Sequence, residues 1–253
     1  MLLRRVIKHV KAQDWFAVCL DFIIVVIGVF LGIQIGNWNE DRIFENRERA
    51  LLVELRAEIS EGIELTKVWR DYLGDVSSAG AKSITFIDSN QPCSENCQDR
   101  VIDFFHASQF ISVDLDRTVF DEMQRAGWPS SRAVESAVTA YYTQGAGIAE
   151  NLNERPAYRT LIRELIPHTM LDVLWEGCHD VVRGIESLSR DCAVELGSTE
   201  IRVAVDTIRE NPRVKATLNH WTSMTKTMGP YMDGLIEAGQ EAMTAIDVEL
   251  GKH

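Results

Sequence analysis

The sequence lacks the short motifs that mark several large enzyme classes. It has no glycine-rich phosphate loop and no His-Glu-x-x-His metalloprotease motif. None of its histidines lies beside a serine or cysteine in a nucleophile motif; they are His9, His106, His168, His179, His220 and His253. We therefore expect a non-catalytic protein, with no cofactor and no metal ion.

Positive charge is also scarce. The chain has 26 Lys and Arg against 38 Asp and Glu, for a formal net charge of −12. The first 39 residues hold four basic residues and only Asp14 and Asp21 as acids, so the excess of negative charge lies entirely in the rest. An acidic body disfavours a nucleic-acid partner, because the phosphate backbone is bound by clustered Lys and Arg.

Strand patterns and repeats are absent as well. No stretch alternates apolar and polar residues as a half-buried strand does, and no internal repeat or low-complexity segment is present. The composition, 45% hydrophobic and 25% charged, is that of a folded protein. The chain therefore predicts an all-α fold, an antiparallel helical bundle after its N-terminal part.

One long apolar run is present near the N-terminus. Residues 22–39 are uncharged, and as a helix they would cover roughly 27 Å, close to the hydrocarbon thickness of a bilayer. Trp15 and Trp38 bracket the run, and we expect one at each membrane interface. These features predict a transmembrane helix over residues 16–38, with the lipid bilayer as a partner.

Two alternatives compete with a membrane span. The run is also compatible with a buried helix of a soluble protein. A cleaved signal peptide begins in the same way, with basic residues before an apolar segment. Against the signal peptide, the run is too long for the usual signal core, and no small-x-small cleavage site follows it.

The charges around the run predict its orientation. The basic residues precede it within segment 1–15, and the acidic stretch Glu40-Asp41 follows it. By the positive-inside rule we expect a single-pass protein of the bacterial inner membrane, with segment 1–15 in the cytoplasm. A stalk helix over residues 39–90 and a helical domain over residues 91–253 would then lie in the periplasm.

One face of the predicted span combines an acid with small residues. Because steps of three and four residues return to the same side of a helix, a single stripe contains Asp21, Gly28, Gly32, Gly36 and Asn39. Glycines at this spacing allow two helices in lipid to approach closely. We expect this face to pack on a copy of the chain or on another membrane protein. The alternative is that Asp21 reaches the headgroups and that the glycines have no special role.

The cysteines outside the span form an even set, as in an oxidising compartment. Cys19 lies in the run, and of the three possible pairings of the others we favour Cys93 with Cys97 and Cys178 with Cys192. Zinc is the competing interpretation: Cys93 and Cys97 with His106, or Cys178 with His179, would supply ligands, but no compact four-ligand spacing is present.

The rest of the chain reads as a series of helices separated by turn residues. After the stalk, a loop follows at Pro92. Three helices are then predicted: one over residues 99–109, a short one that begins at Thr118, and one that begins after a cap at Ser130 or Ser131. A longer helix is predicted from Pro156 to Leu188, and another across "TEIRVAVDTIREN". The final helix is predicted from Val214 to Leu250, with a kink or break at Gly229-Pro230.

Several of these segments resemble a known family. "DFIIVVIGVFLGIQIGNWNEDR" is similar to the signature of bacterial single-span membrane proteins known as a domain of unknown function, which have an acidic residue, an "LVVIG"-type run and an "NNWNE"-type ending. "TVFDEMQRAGW" and "VTAYYTQ" resemble its central segment. The chain departs at Asp21, where the family usually has glutamate, and at Gly36, where it usually has asparagine. The resemblance implies a membrane-anchored helical protein and no established activity.

Two functional hypotheses follow from these patterns. The first is an anchored, non-catalytic helical protein that self-assembles or scaffolds another envelope protein. The second is an ion-coupled or channel-forming subunit that uses Asp21. Its layout is similar to that of the proton-coupled stator subunits of flagellar motors, although no peptidoglycan-binding motif is present.

Overall fold

The structure is a computed structural model that describes residues 15–182, 185–189, 192 and 197–251. Apart from Trp15, the segment predicted to be cytoplasmic lies outside the described residues. The chain divides into two compact units, residues 1–51 and 52–253, and each is described by itself. The helix predicted to contain both the apolar run and the stalk is present as a single helix, α1, from Trp15 to Ser89.

The other elements follow in chain order. They are α2 (Cys97–Ala107), α3 (Thr118–Arg125), α4 (Arg132–Leu152), α5 (Ala157–Leu165), α6 (His168–Cys178), β1 (His179–Val182), β2 (Ile185–Leu188), α7 (Ser198–Glu210) and α8 (Pro212–Leu250). The fold is therefore all-α apart from one short hairpin, and the predicted fold class is confirmed at that level.

In the first unit, α1 exposes its apolar side chains. A helix satisfies the backbone N–H and C=O groups within the segment, so it needs no neighbour for its hydrogen bonds. Phe22, Val25 and Ile35 are 69%, 63% and 64% exposed. Among the described residues, α1 is the one helix long and apolar enough to cross a membrane, and the apolar part of it is not buried in the protein.

In the second unit, α1 and α8 pack side by side in opposite directions. Three ion pairs connect them: Arg56 with Asp247, Arg70 with Asp233, and Asp88 with Lys215. From one ion pair to the next, the residue number in α1 increases by the same amount as the residue number in α8 decreases. The two helices are therefore antiparallel and stay in register over roughly nine turns.

Helix α4 packs against both α1 and α8, and the three helices form a bundle. Gln144 of α4 donates a hydrogen bond to the backbone carbonyl of Tyr231 in α8, and Tyr141 of α4 lies against Gly239. The apolar faces of these helices and of the shorter ones enclose a core with large buried side chains, among them Leu55, Phe104, Phe105, Phe120, Tyr141, Tyr158 and Trp221.

The prediction of one helix from Pro156 to Leu188 is wrong. Ile166 has an extended backbone before Pro167, so α5 ends there and α6 begins after the proline. Helix α6 ends at Cys178, and β1 and β2 then pair antiparallel, with His179 opposite Leu188. The Cys178–Cys192 disulfide brings the chain back to the end of α6, which favours a hairpin over a continued helix.

The break predicted at Gly229-Pro230 is also absent, because α8 continues through Pro230. Met228 and Met232 on either side are buried in the core, and their packing keeps both halves of the helix in place. The short helix predicted from Thr118 and the helix predicted after Ser131 are both present, as α3 and α4.

Candidate functional site

The predicted span face lies on α1, and its five residues Asp21, Gly28, Gly32, Gly36 and Asn39 are all exposed. On an α-helix they fall within a sector of about 80°. A Cβ atom added at any of the three glycines would meet no atom within 4 Å. No part of the described chain therefore covers this face.

The two tryptophans that bracket the apolar run are also exposed. Trp15 and Trp38 lie on the same helix and are separated by 23 residues, or about 34 Å of rise. Neither indole packs into the core of the described chain. This arrangement leaves both rings free to contact another phase, such as the interfacial region of a bilayer.

The disulfide pairing predicted from the sequence is present. Cys93 bonds to Cys97 and Cys178 bonds to Cys192, while Cys19 on α1 is free and exposed. Structural disulfides persist in oxidising compartments, and the pairing indicates such a location for this unit.

The structure also shows where the alternative zinc ligands lie. His106 is buried beside the second disulfide, with its Nε2 3.1 Å from the carbonyl oxygen of Cys178. The ligand atoms of His106, Cys178 and Cys192 lie within 4.8 Å of one another. The sulfur atoms of Cys178 and Cys192 are bonded to each other, so neither offers a thiolate to a metal ion. Burial lowers the pKa of His106, which favours its neutral form.

A first polar cluster joins α1 to the segments "TVFDEM" of α3 and "AYYTQ" of α4. Tyr142 of "AYYTQ" donates a hydrogen bond of 2.5 Å to Glu58 Oε1, and its ring stacks on Phe120 of "TVFDEM" with centroids 5.2 Å apart. Glu58 Oε2 accepts a hydrogen bond of 2.8 Å from the backbone N–H of Val119. A carboxylate of α1 thus satisfies a free N–H group at the start of α3.

Charge and burial reinforce this cluster. The guanidinium group of Arg117 lies 5.5 Å from the ring centroid of Tyr142 and 5.7 Å from that of Phe120. Burial raises the pKa of Tyr142, and the hydrogen bond to Glu58 raises it further, so the phenol stays protonated and remains a donor. The role of Glu58 is not visible in the sequence, because a single glutamate in a highly charged helix has the same pattern as a solvent-exposed residue.

We expect Tyr142→Phe to lower the free energy of unfolding by about 1.5 kcal/mol, because it removes one of the two hydrogen bonds that the Glu58 carboxylate accepts. The measurement is denaturant unfolding of the full-length protein in detergent. Tyr231→Phe is the matched control, since Tyr231 is exposed and its loss of a hydroxyl should change stability by less than about 0.5 kcal/mol. Equal effects of the two substitutions would contradict a structural role for the bond.

A second polar cluster lies against the hairpin. Glu186 Oε2, on β2, is 3.0 Å from the hydroxyl of Tyr72 and 3.1 Å from His179 Nε2. Arg159 donates from Nη1 to the carbonyl oxygen of Ser108 and to Gln109 Oε1, both at 3.1 Å. These groups come from α1, from the segment just after α2, from α5 and from both strands, so the cluster exists only in the folded chain.

Arg163 lies in the same region, and two aromatic rings pack on one side of its guanidinium group. Its Cζ atom is 4.6 Å from the ring centroid of Phe105 and 4.5 Å from that of Trp175. Burial lowers the pKa of Arg163 to about 10, and the neighbouring Arg159 cation lowers it further. The group therefore stays charged at neutral pH.

No protein-family model, no curated protein and no solved structure matches this chain. Its function is therefore argued from its own geometry.

Proposed function

We propose that this chain is a non-catalytic protein anchored in the bacterial inner membrane by a single span, and that the span binds a second membrane helix. The observation that carries the proposal is the uncovered face of α1 with its three glycines. On soluble monomers, contiguous exposed apolar surface seldom exceeds a few hundred Å². A helix with its large apolar side chains exposed on all sides is suited to lipid.

Charge and the disulfides support the proposed orientation. The basic residues before the span favour a cytoplasmic N-terminus, and the two disulfides favour an oxidising compartment for residues 91–253. On this proposal the helical domain lies in the periplasm. We also propose that the chain belongs with the single-span family that it resembles.

The small face supports association within the membrane. Without side chains at Gly28, Gly32 and Gly36, a partner helix can approach the backbone of α1 closely enough for van der Waals contact. Asp21 lies on the same face, where it would be costly against lipid and stabilised by a donor from a neighbouring helix. The partner is a second copy of the chain or another envelope protein that the helical domain scaffolds.

Gly32→Leu tests this interface. We expect it to reduce the oligomer or complex to the monomer, because the leucine side chain separates the two backbones. The measurement is native mass spectrometry of the full-length protein, extracted gently with its lipids. Phe30→Leu is the matched control, because Phe30 faces nearly the opposite side of the helix and its substitution should leave assembly unchanged. Unchanged assembly in Gly32→Leu would refute the glycine interface.

Asp21→Asn separates the scaffold from the ion-coupled subunit. Asparagine keeps the size and most of the hydrogen bonding of aspartate but cannot ionise. The scaffold proposal expects near-normal assembly and function in this variant. Intact assembly with loss of proton or ion flux in reconstituted vesicles would favour the ion-coupled alternative instead.

A further inference from the structure

Arg163 is the most unusual charged residue in the second unit. Its Nε, Nη1 and Nη2 atoms are all buried, and none has a hydrogen-bond acceptor in the part of the chain that the structure describes. The rings of Phe105 and Trp175 both pack on one side of the guanidinium group, since their centroids are only 5.2 Å apart. The three nitrogen atoms therefore have aromatic neighbours but no hydrogen bond from the described chain.

A buried cation without acceptors is costly. The penalty for removing one from water is several kcal/mol, and the contacts with the two rings offset only part of it. Proteins rarely leave such groups unsatisfied unless another molecule supplies the acceptor. The edge of a guanidinium group matches a planar oxyanion, which can accept two parallel hydrogen bonds.

Arg159 adds a second positive charge at the same place. Its Cζ atom lies 5.8 Å from the ring centroid of Trp175, the same ring that covers Arg163. Among the described residues, no carboxylate forms an ion pair with either arginine. Glu186 is close enough to raise the pKa of Arg159, and its Oε2 atom lies within hydrogen-bond distance of Tyr72 and His179. In the described part of the chain, the cluster thus has two guanidinium groups against one carboxylate, a formal excess of positive charge in a protein of net charge −12.

We infer that Arg163 and Arg159 form a binding site for a small oxyanion, a carboxylate or a phosphate group, with Phe105 and Trp175 packing on one side of the guanidinium of Arg163. The oxyanion accepts hydrogen bonds from the unpaired nitrogen atoms of Arg163, and Arg159 adds electrostatic attraction. Glu186 has a side chain that is one-third exposed. This function is separate from the proposed membrane association and does not depend on it.

The test is ligand binding to the full-length protein in detergent. Sodium acetate, sodium succinate and sodium phosphate are titrated separately at constant ionic strength, with sodium chloride as the reference. Isothermal calorimetry and the midpoint of thermal unfolding are the two measurements. We expect saturable binding and a rise of the midpoint with at least one oxyanion and not with chloride. A response to acetate or succinate alone identifies a carboxylate site, and a response to phosphate alone identifies a phosphate site.

Arg163→Met tests the assignment to this residue. Methionine packs against the two rings without charge, and we expect binding to weaken at least about tenfold while the helical content stays that of the wild type. Arg202→Gln on the exposed side of α7 is the matched control and should bind as the wild type does.

Arg163→Lys keeps the positive charge but loses the forked N–H donors, so this variant should also bind the oxyanion more weakly. It replaces Arg163→Met in the test if the methionine variant does not fold. The inference is overturned if no oxyanion binds the wild type saturably. It is equally overturned if the folded Arg163 variants bind with the wild-type affinity.

Discussion

Replacing Cys178 and Cys192 together by alanine is expected to lower the free energy of unfolding of the second unit by about 3 kcal/mol. The bond closes a loop with a sequence separation of 14, and its loss frees that loop in the unfolded chain. Both residues are buried, so alanine is used to avoid an unpaired hydroxyl group. Denaturant unfolding of the full-length protein, followed by far-ultraviolet circular dichroism, measures the loss.

The other disulfide supplies the matched control. Cys93 and Cys97 are separated by only 4 residues, so their replacement by alanine should cost less, about 2 kcal/mol in the same chain-entropy estimate. The order of the two losses is the critical result. A larger loss for the short loop would show that loop closure does not control the stability of this unit.

Gly80→Ala is expected to destabilise the protein by about 2 to 3 kcal/mol, because Gly80 of α1 packs directly against Thr222 of α8. An added Cβ would overlap Thr222 Oγ1 and lie 3.1 Å from its Cγ2 and 3.2 Å from its Cβ. Rotation of the threonine cannot remove all three contacts, since one of them is to the Cβ atom. The helices must therefore move apart. The measurement is again denaturant unfolding.

Gly74→Ala is the matched control on the same helix. Gly74 is exposed, and an added Cβ would meet nothing within 4 Å. Alanine is a better helix former than glycine, so this variant should be stabilised by up to about 1 kcal/mol. A loss of stability in Gly80→Ala and a gain in Gly74→Ala would separate the effect of packing from the effect of helix propensity.

The double variant Gly80→Ala with Thr222→Ala tests the contact itself. Thr222→Ala removes the hydroxyl and the methyl group that collide with the new Cβ atom. It should therefore recover much of the stability lost in Gly80→Ala. Additive effects of the two substitutions would show that the destabilisation arises elsewhere.

The sequence predicted the elements that depend on local patterns. The apolar run indicated a helix long enough to span a bilayer, helical spacing indicated the stalk, and α1 has both from Trp15 to Ser89. Turn residues located the starts of α3 and α4, and short separations favoured the two disulfides that the structure contains. Each of these features depends on residues within a few turns or a short loop.

The hairpin was missed because its local pattern is weak. Residues 179–188 do not alternate clearly in polarity, and a helix was the default in a chain of helices. What favours the hairpin is the disulfide to Cys192 and the contacts of Glu186 with Tyr72 and His179. These contacts involve partners that are distant in sequence, and no local propensity reports them.

By itself, the sequence determined the helical class, the long apolar helix and the face of α1 that contains Asp21 and the glycines, because helix periodicity and composition are properties of contiguous residues. Only the tertiary structure decided the register of α1 against α8, the hydrogen bond of Glu58 with Tyr142, and the meeting of Arg159 with Arg163 beside Trp175. Those features depend on which distant side chains share one buried volume, and that is settled by packing.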